Sequence, residues 1–126
     1  MAWAERMSVS VLDAQIRSGP GTKYDILWHV EKYYPLVILK KSGSWYYFRD
    51  FEGDTGWIHQ SLVNKLPSVV VNNTVANVRS GPGTTYETLF TVEKRVPFKV
   101  LKQQGDWIYV EHGDGDKGWI HKSLVW

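Results

Sequence analysis

Arg17-Ser18-Gly19-Pro20-Gly21-Thr22 is the stretch that decides the fold, and it returns unchanged as Arg79-Ser80-Gly81-Pro82-Gly83-Thr84. The offset is 79 − 17 = 62 residues and holds without a gap: between Val9–Asn64 and Val71–Trp126, 28 of 56 positions are identical. Each copy has about 55 residues, which is too long for a solenoid unit and suits a minimal barrel. We predict residues 8–64 as repeat one, 65–68 as a short linker and 69–126 as repeat two.

Each copy shows the pattern of short strands joined by turns. Ala14 and Ile16 alternate with polar Gln15, which is the two-residue period of a strand. In Gly-Pro-Gly, proline presets the backbone of a type II turn and glycine supplies its positive φ. Trp45–Arg49 is rich in strand formers, and a Gly- and Asp-containing turn follows it. Several short strands without helical periodicity favour an all-β fold of two small barrels, because closure removes exposed sheet edges.

Length, charge and composition exclude several classes of protein. The net charge of +2 over 126 residues is too small for a protein that binds nucleic acid through phosphate contacts. There is no cysteine, so disulfides and thiolate metal sites are excluded. No apolar run approaches the roughly 18 residues of a membrane span. Aromatic residues make up 14% of the chain, and spare aromatics often form binding surfaces.

The polar residues form no catalytic constellation, and we predict a protein that is not an enzyme and has no cofactor or metal site. His59 and His121 recur in both copies, and a backbone hydrogen bond at the start of a tight helical turn explains their retention. Asp50, Glu52 and Asp54 alternate in the first hairpin turn. This run lacks the length and terminal glutamate of a calcium loop, so we interpret it as a solvated turn.

The order of these motifs resembles the bacterial SH3-like domain family. The residues that carry the resemblance are Arg-Ser-Gly-Pro-Gly, Tyr24, Gly43-Ser44-Trp45 and Gly56-Trp57-Ile58-His59, with their partners in the second copy. The resemblance covers about Ser8–Val63 and Val71–Val125. It implies SH3-like barrels of five to six strands, often in tandem, in exported proteins that accompany cell-wall hydrolases. Several members bind peptidoglycan or its peptides. These 126 residues include no enzyme domain, which departs from that setting.

The first residues contain a motif that bears on localisation. Ala2-Trp3-Ala4 has the small-x-small form of a secretory cleavage site, with Glu5 as the first mature residue. We therefore expect residues 1–7 to be the remnant of an export cleavage region. The corresponding location is the periplasm or the outside of the cell.

The aromatic residues carry the functional signal. Trp45, Trp57, Trp107 and Trp119 occur in both copies, and we assign them to the shared core. Repeat one has additional aromatics: Tyr33-Tyr34 becomes Arg95-Val96, Tyr46 becomes Ile108, and Phe51 becomes Gly113. Two interpretations are open. The additional rings form a ligand groove, with stacking on sugars or peptide side chains, or they pack against the other repeat.

The predicted ligand-binding residues lie in or after the shared turn, or are among the additional aromatics. They are Arg17, Tyr24, Trp28, Tyr33, Tyr34, Tyr46, Phe51, Arg79, Tyr86 and Phe90. Arg17 and Arg79 have two possible roles. A guanidinium beside aromatic rings could hold a carboxylate of a wall stem peptide, or it could bind the carbonyls of the turn.

The sequence therefore predicts a non-catalytic binding module of the bacterial cell envelope that recognises peptidoglycan or its peptides. Two weak sites on one chain would raise the avidity for a repeating polymer. One alternative is an adaptor that binds a peptide of an envelope partner protein. Another is a purely structural protein with the additional aromatics buried between the repeats. A wall binder should use both repeats, whereas an adaptor could use repeat one alone.

Overall fold

Strands and the turns between them make up nearly all of the backbone that the structure describes. The computed structural model describes residues 4–126, so the Ala2-Trp3-Ala4 motif lies outside the described residues except for Ala4. The first sheet consists of β1 (Glu5–Val9), β2 (Asp13–Arg17), β3 (Ile26–Glu31), β4 (Pro35–Ser42), β5 (Trp45–Arg49), β6 (Thr55–His59) and β7 (Val63–Asn64). The second consists of β8 (Ser68–Val70), β9 (Val75–Arg79), β10 (Thr88–Glu93), β11 (Pro97–Gln104), β12 (Trp107–Glu111) and β13 (Lys117–His121).

The strand pairing repeats with the sequence. The hydrogen-bonded order is β3-β2-β6-β5-β4-β1-β7 in the first sheet and β10-β9-β13-β12-β11-β8 in the second. All of these pairs are antiparallel. Both long strands begin at a proline and carry a register shift, between Ile38 and Lys40 and between Val100 and Lys102. The all-β prediction is confirmed as two antiparallel sheets.

The first strand of each repeat begins before Val9 and Val71, the first positions at which the two copies are identical. β1 pairs with β4, with Ser8 opposite Pro35, and β8 pairs with β11, with Val70 opposite Pro97. Residues 5–7, which the sequence placed in an export remnant, therefore form part of β1. β8 belongs to the second sheet, and only residues 65–67 separate it from β7.

Single 3₁₀ turns close both repeats, as the sequence predicted. They span Gln60–Leu62 and Lys122–Leu124. Each leads into a short final segment: Val63 pairs with Val9, and Val125 forms a bridge with Val71. The last residues of each copy thus return to its first strand.

Two hydrophobic clusters form the cores. Phe48, Ile16 and Ile58 are fully buried in the first, and Phe98 and Ile120 in the second. Burial of each such side chain stabilises the fold by about 1.5–3 kcal/mol. The alternation of buried and exposed residues along β2 and β9 confirms the two-residue period that the sequence shows there.

The two repeats are in direct contact through the segments that follow the linker. Val70, a residue of β8, is fully buried within the first core, and Trp126 packs against the same core. The guanidinium of Arg6 lies 4.1 Å from the ring centroid of Trp126 and donates to its backbone carbonyl at 2.7 Å. A second bond from Arg6 reaches the carbonyl of Ser68 at 3.0 Å. Repeat two therefore completes part of the core of repeat one.

Candidate functional site

Trp45, Trp57 and Trp107 are half-buried and lie outside both core clusters, which corrects the prediction that they form the core. Trp119 is buried, as that prediction expected, at 7% exposure. The cause is the two-residue period of the strands. In β5 and β6, Phe48 and Ile58 point into the first core and are fully buried. Trp45 and Trp57 occupy the opposite, outer face and are half-buried.

A stack of three side chains covers this outer face in each repeat. The Tyr47 and Trp57 ring centroids lie 5.2 Å apart, and Lys40 Nζ is 5.0 Å from the Tyr47 centroid. In repeat two Tyr109 and Trp119 are 5.0 Å apart, and Lys102 Nζ lies over both rings. A cation over an aromatic face contributes about 0.5–1 kcal/mol at an exposed site. The stack stabilises the outer surface rather than the core.

Beside the stack, a tryptophan meets a histidine edge to face. The Trp45 and His59 centroids are 5.2 Å apart, and those of Trp107 and His121 are 5.1 Å apart. His59 Nδ1 accepts a hydrogen bond from the Ser61 backbone N–H at 3.2 Å and lies 2.8 Å from Ser61 Oγ. Both retained histidines therefore accept a hydrogen bond from the backbone at the start of the helical turn, as the sequence predicted. Since Nδ1 accepts, the proton of a neutral ring is on Nε2, where it can be donated.

These residues form one wall of a shallow open groove, which we call the Trp45 groove, with a volume of about 320 Å³. It is lined by Asp13, Gln15, Arg17, Thr22, Trp45, His59, Ser61 and Leu62. Repeat two has identical residues at six of these eight positions: Arg79, Thr84, Trp107, His121, Ser123 and Leu124. Only Asp13 and Gln15 differ, and Val75 and Asn77 stand in their places.

Arg17 anchors the turn beside the groove. Its Nη1 donates to the carbonyls of Thr22 and Tyr24 at 3.0 Å each, and its Nη2 donates to Gln15 Oε1 at 3.0 Å. Arg79 makes the two equivalent carbonyl bonds, at 3.2 and 3.0 Å. Of the two roles that the sequence left open for these arginines, the binding of the turn carbonyls is thus present in both repeats. Among residues 4–126 no carboxylate pairs with either guanidinium.

Tyr24 and Tyr86 lie flat against the glycines of the shared turn. A Cβ placed on Gly19 would lie 2.4 Å from the Tyr24 ring, and one on Gly81 would lie 2.3 Å from the Tyr86 ring. The tyrosines are 38% and 48% exposed, so each also has surface open to solvent. Their position beside Thr22 and Thr84 keeps them candidates for ligand contact, and the glycines are required for this close packing.

Two of the predicted ligand-binding residues pack within repeat one, and a third is buried at a corner of the chain. Trp28 meets Phe48 edge to face, with centroids 6.4 Å apart, and Tyr46 packs against the first core. Tyr33 is 8% exposed and lies at a corner where its φ is +76°. The structure brings none of the three into the Trp45 groove.

Tyr34 and Phe51 meet the other repeat. Arg95 Cζ lies 5.6 Å from each of their ring centroids, and Arg95 Nη2 donates to the Tyr34 hydroxyl at 2.9 Å. Fully buried Asp50 accepts a hydrogen bond from that hydroxyl at 2.8 Å. Burial, followed by the bond to Asp50, raises the pKa of Tyr34 above its usual range. These two additional aromatics follow the second interpretation, that of packing between repeats.

Carboxylates strengthen this contact. Arg95 forms an ion pair with Glu52 and lies 3.6 Å from Asp50 Oδ2. Lys94 Nζ pairs with the other oxygen of Glu52 at 3.2 Å. Asp50 also accepts from the backbone N–H groups of Glu52 and Asp54 at 3.0 Å each. The acidic turn is therefore a cap and an inter-repeat contact, and Asp50 is not the solvated residue that the sequence predicted.

A second ion pair links the repeats through the equivalent turn. His112 occupies the position of Asp50 in repeat two, and its Nε2 lies 3.1 Å from Glu31 of repeat one. Its Nδ1 lies 3.1 Å from Asp114. Burial alone would lower the pKa of His112, but the bonds to Glu31 and Asp114 outweigh burial and raise it. Each repeat thus contributes its hairpin turn to the corner of the other.

Phe90 lines a different cavity on repeat two, with a volume of about 500 Å³, which we call the Phe90 groove. Its lining residues are Phe90, Thr91, Val92, Glu93, Val96, His112, Asp114 and Asp116. It combines an apolar surface with three carboxylates. Sequence reasoning selected Phe90 without these acidic neighbours.

Between residues 4 and 126 no group of three or more histidine or acidic side chains is arranged to hold a metal ion. The same residues include no helix with the length and apolarity needed to cross a membrane.

Sequence reasoning missed Trp45, His59 and Ser61 as groove-lining residues. The signal was present in the alternation of Trp45-Tyr46-Tyr47-Phe48. Two of these residues must face away from the core that holds Phe48, because strand side chains alternate. Retention of a residue in both copies was interpreted as a core requirement, although it fits a repeated surface equally well.

Comparison with known families settles the relationship of both repeats. The family model described as "Bacterial SH3 domain" matches residues 11–65 and again residues 72–126. The chain belongs to the bacterial SH3 domain family. The predicted resemblance and its tandem arrangement are confirmed.

The curated relatives of this bacterial SH3 pair include two proteins that are named as amidases. YrvJ of Bacillus subtilis (strain 168), named as an N-acetylmuramoyl-L-alanine amidase, is 29% identical over 124 residues, which is 90% of this chain and 24% of YrvJ. LytH of Staphylococcus epidermidis (strain ATCC 35984), named as a cell wall amidase, is 37% identical over 46 residues, 36% of this chain and 16% of LytH. The chain thus spans a quarter or less of each relative.

Among solved structures, NlpC1 from Trichomonas vaginalis aligns with 97% of this chain and 45% of its own, with 12% identity and a TM-score of 0.45.

Proposed function

We propose that the chain is a non-catalytic binding module of the bacterial cell envelope that recognises peptidoglycan or its peptides. In this proposal residues 8–64 and 69–126 each form one SH3-like barrel, with the sheet curled around its own core. The protein acts in the periplasm or outside the cell. LytH, a relative named as a cell wall amidase, and YrvJ, named as an N-acetylmuramoyl-L-alanine amidase, support the wall as the location of the ligand.

The duplicated lining of the Trp45 groove carries the proposal. Neither core requires Trp45 or Trp107, yet each meets its histidine at the same distance in both repeats. A surface that serves only solubility gives no reason to keep two large aromatic residues in place. A protein that binds the same ligand unit in both repeats has a reason to keep a tryptophan at each site.

The chemistry of the groove suits a polymer of sugars and short peptides. The Trp45 ring offers an apolar face for a sugar or a side chain. The free charge of Arg17 and the Nε2–H of His59 suit carboxylate and carbonyl acceptors. Tyr24 and Tyr86 extend the aromatic surface beside the turn. Two such sites on one chain raise the avidity without any new contact if both reach the polymer.

Co-sedimentation with purified, protein-free peptidoglycan sacculi tests the proposal. The wild-type chain is compared with Trp45→Ala, Trp107→Ala and the double variant. We expect saturable binding that each single change weakens and the double change reduces by at least about tenfold, because two linked sites are lost.

Leu12→Ala is the matched control, since Leu12 is 74% exposed and lies outside the groove lining. It should bind like the wild type. Circular dichroism of each variant shows that the fold is retained. If the wild-type chain does not sediment with sacculi at high concentration, wall binding is wrong and an envelope protein becomes the partner to seek.

A further inference from the structure

The groove of repeat one that corresponds to the Phe90 groove already contains a cation. Its lining, of about 190 Å³, includes Val30, Glu31 and Tyr34 of repeat one and Arg95 of repeat two. The guanidinium lies over the Tyr34 and Phe51 rings and bonds to Glu52. This half of the molecule therefore shows a positively charged side chain held between aromatic faces and carboxylates.

In repeat two the same positions are open. Val92, Glu93 and Val96 stand where repeat one has Val30, Glu31 and Tyr34, at the constant offset of 62 residues. Phe90 replaces the larger Trp28, and the volume rises to about 500 Å³. Among the described residues, neither a lysine nor an arginine lines this groove.

The charges of the Phe90 groove are unbalanced. Asp114 is engaged, because its Oδ1 lies 3.1 Å from His112 Nδ1 and accepts from the Asp116 backbone N–H at 2.9 Å. The carboxylates of Glu93 and Asp116 have no hydrogen-bond or ion-pair partner within residues 4–126. They stand at the edge of a surface formed by Phe90, Val92 and Val96.

We propose that the Phe90 groove binds the ammonium-bearing side chain of a peptide. The alkyl stem lies on Phe90, Val92 and Val96, and the ammonium lies between Glu93 and Asp116. A long cationic side chain offers both an apolar stem and a charged end, which matches the two halves of the groove. The identification of this peptide as part of the wall polymer rests on the function proposed above.

Titration of the full chain followed by nuclear magnetic resonance tests the groove. The probes are the acetylated and amidated peptide Ala-Lys-Ala and the same peptide with norleucine, which keeps the stem and removes the charge. We expect the lysine peptide to shift the amide signals of residues 90–96 and 112–116. The norleucine peptide and the Glu93→Gln/Asp116→Asn variant should each bind about tenfold more weakly.

Asp54→Asn is the matched control, because Asp54 holds the position of Asp116 in repeat one. It should leave binding of the lysine peptide unchanged. Equal affinity for the two peptides overturns the proposal, as does a double variant that binds like the wild type.

Sacculi separate this inference from the proposed function. Untreated sacculi are compared with sacculi whose free amines have been acetylated. Weaker sedimentation with acetylated sacculi, for the wild type but not for the Glu93→Gln/Asp116→Asn variant, supports the groove as a wall site. Unchanged sedimentation would overturn the groove as a wall site while wall binding stands. No sedimentation with either material overturns wall binding, and the peptide titration then still decides the groove.

Discussion

The equivalent grooves of the two repeats differ in what fills them. In repeat one, Arg95 lies over Tyr34 and Phe51 and joins the two halves of the molecule. In repeat two, Val96 and Gly113 occupy the positions of those rings and leave space above Phe90. The two similar surfaces therefore differ at a few corner positions, where the residues of repeat one form an interface and those of repeat two leave the groove open.

The backbone at these corners did not change. Tyr33 and Arg95 are equivalent, and both are non-glycine residues with positive φ, at +76° and +80°. Both backbone N–H groups donate to the end of the first strand: Tyr33 to Val9 at 2.8 Å, and Arg95 to Val71 at 2.9 Å. The two corners therefore share one backbone conformation and differ in their side chains.

The largest difference in stability is expected between alanine substitutions of Asp50 and of its counterpart His112. Asp50→Ala leaves the Tyr34 hydroxyl, two backbone N–H groups and Arg95 without their carboxylate. Loss of one partner from a buried charged network costs about 3–5 kcal/mol. Chemical denaturation should show this loss, whereas His112→Ala, at a partly exposed ion pair, should cost less than about 1 kcal/mol.

Asp50→Asn sharpens this comparison, because an amide oxygen can still accept from the backbone N–H groups. The free energy of unfolding of Asp50→Asn should lie between those of the wild type and Asp50→Ala. Equal losses for Asp50→Ala and His112→Ala would contradict the assignment of the main inter-repeat network to the Asp50 side.

Arg95→Ala should make the two grooves more alike. Loss of its hydrogen bonds to Tyr34 and Glu52 is expected to cost about 2 kcal/mol, since bonds to charged groups are stronger than neutral ones. Removal of the guanidinium also exposes the carboxylates of repeat one. In the lysine-peptide titration we expect a second set of shifted signals, from residues 28–34.

Lys94→Ala is the neighbouring control, because Lys94 pairs only with Glu52 among the described residues. It should remove little stability and create no second site. Signals from residues 28–34 that do not move with Arg95→Ala would show that the groove of repeat one is not a latent copy of the Phe90 groove.

The shared turn offers a comparison within each repeat. A methyl group on Gly19 would collide with the Tyr24 ring at 2.4 Å, whereas one on Gly21 would meet it at 3.5 Å, an ordinary contact. Gly19→Ala should therefore cost about 1–3 kcal/mol through overpacking, and Gly21→Ala clearly less. Thermal unfolding measures both, and Gly81→Ala with Gly83→Ala should repeat the order. A reversed order in either repeat would contradict the stacked tyrosine.

The smallest expected effect is a pH dependence of the His112–Glu31 contact. Because the pKa of folded His112 is raised, its contribution to stability is complete below the ordinary histidine pKa of about 6.5. That contribution is lost as the pH rises through the raised value. Thermal unfolding between about pH 5.5 and about pH 8.5 should show this decline in the wild type and not in His112→Gln. Identical profiles would contradict the ion pair.

Much of the fold could be predicted from local sequence. The 62-residue offset and the alternation in β2 and β9 were interpreted correctly. The type II assignment of the Gly-Pro-Gly turn was wrong, because Gly21 and Gly83 do not have the positive φ that such a turn requires. The first strand was missed because Glu5–Val9 has only one identical position in the second copy, and its pairing with β4 spans about thirty residues. Of the residues that line the two grooves, Arg17 and Phe90 were predicted from the sequence, but their neighbours were not.

The duplication, the family and the all-β character could all be predicted from the amino-acid sequence, because repeat identity and two-residue periodicity are local properties of the chain. The tertiary structure alone decided which face of β5 holds Phe48 and which holds Trp45, and that Arg95 crosses to Tyr34. The physical reason is that periodicity defines two faces without saying which is inside. Contacts between residues 61 positions apart depend on how the two sheets pack, which no local pattern encodes.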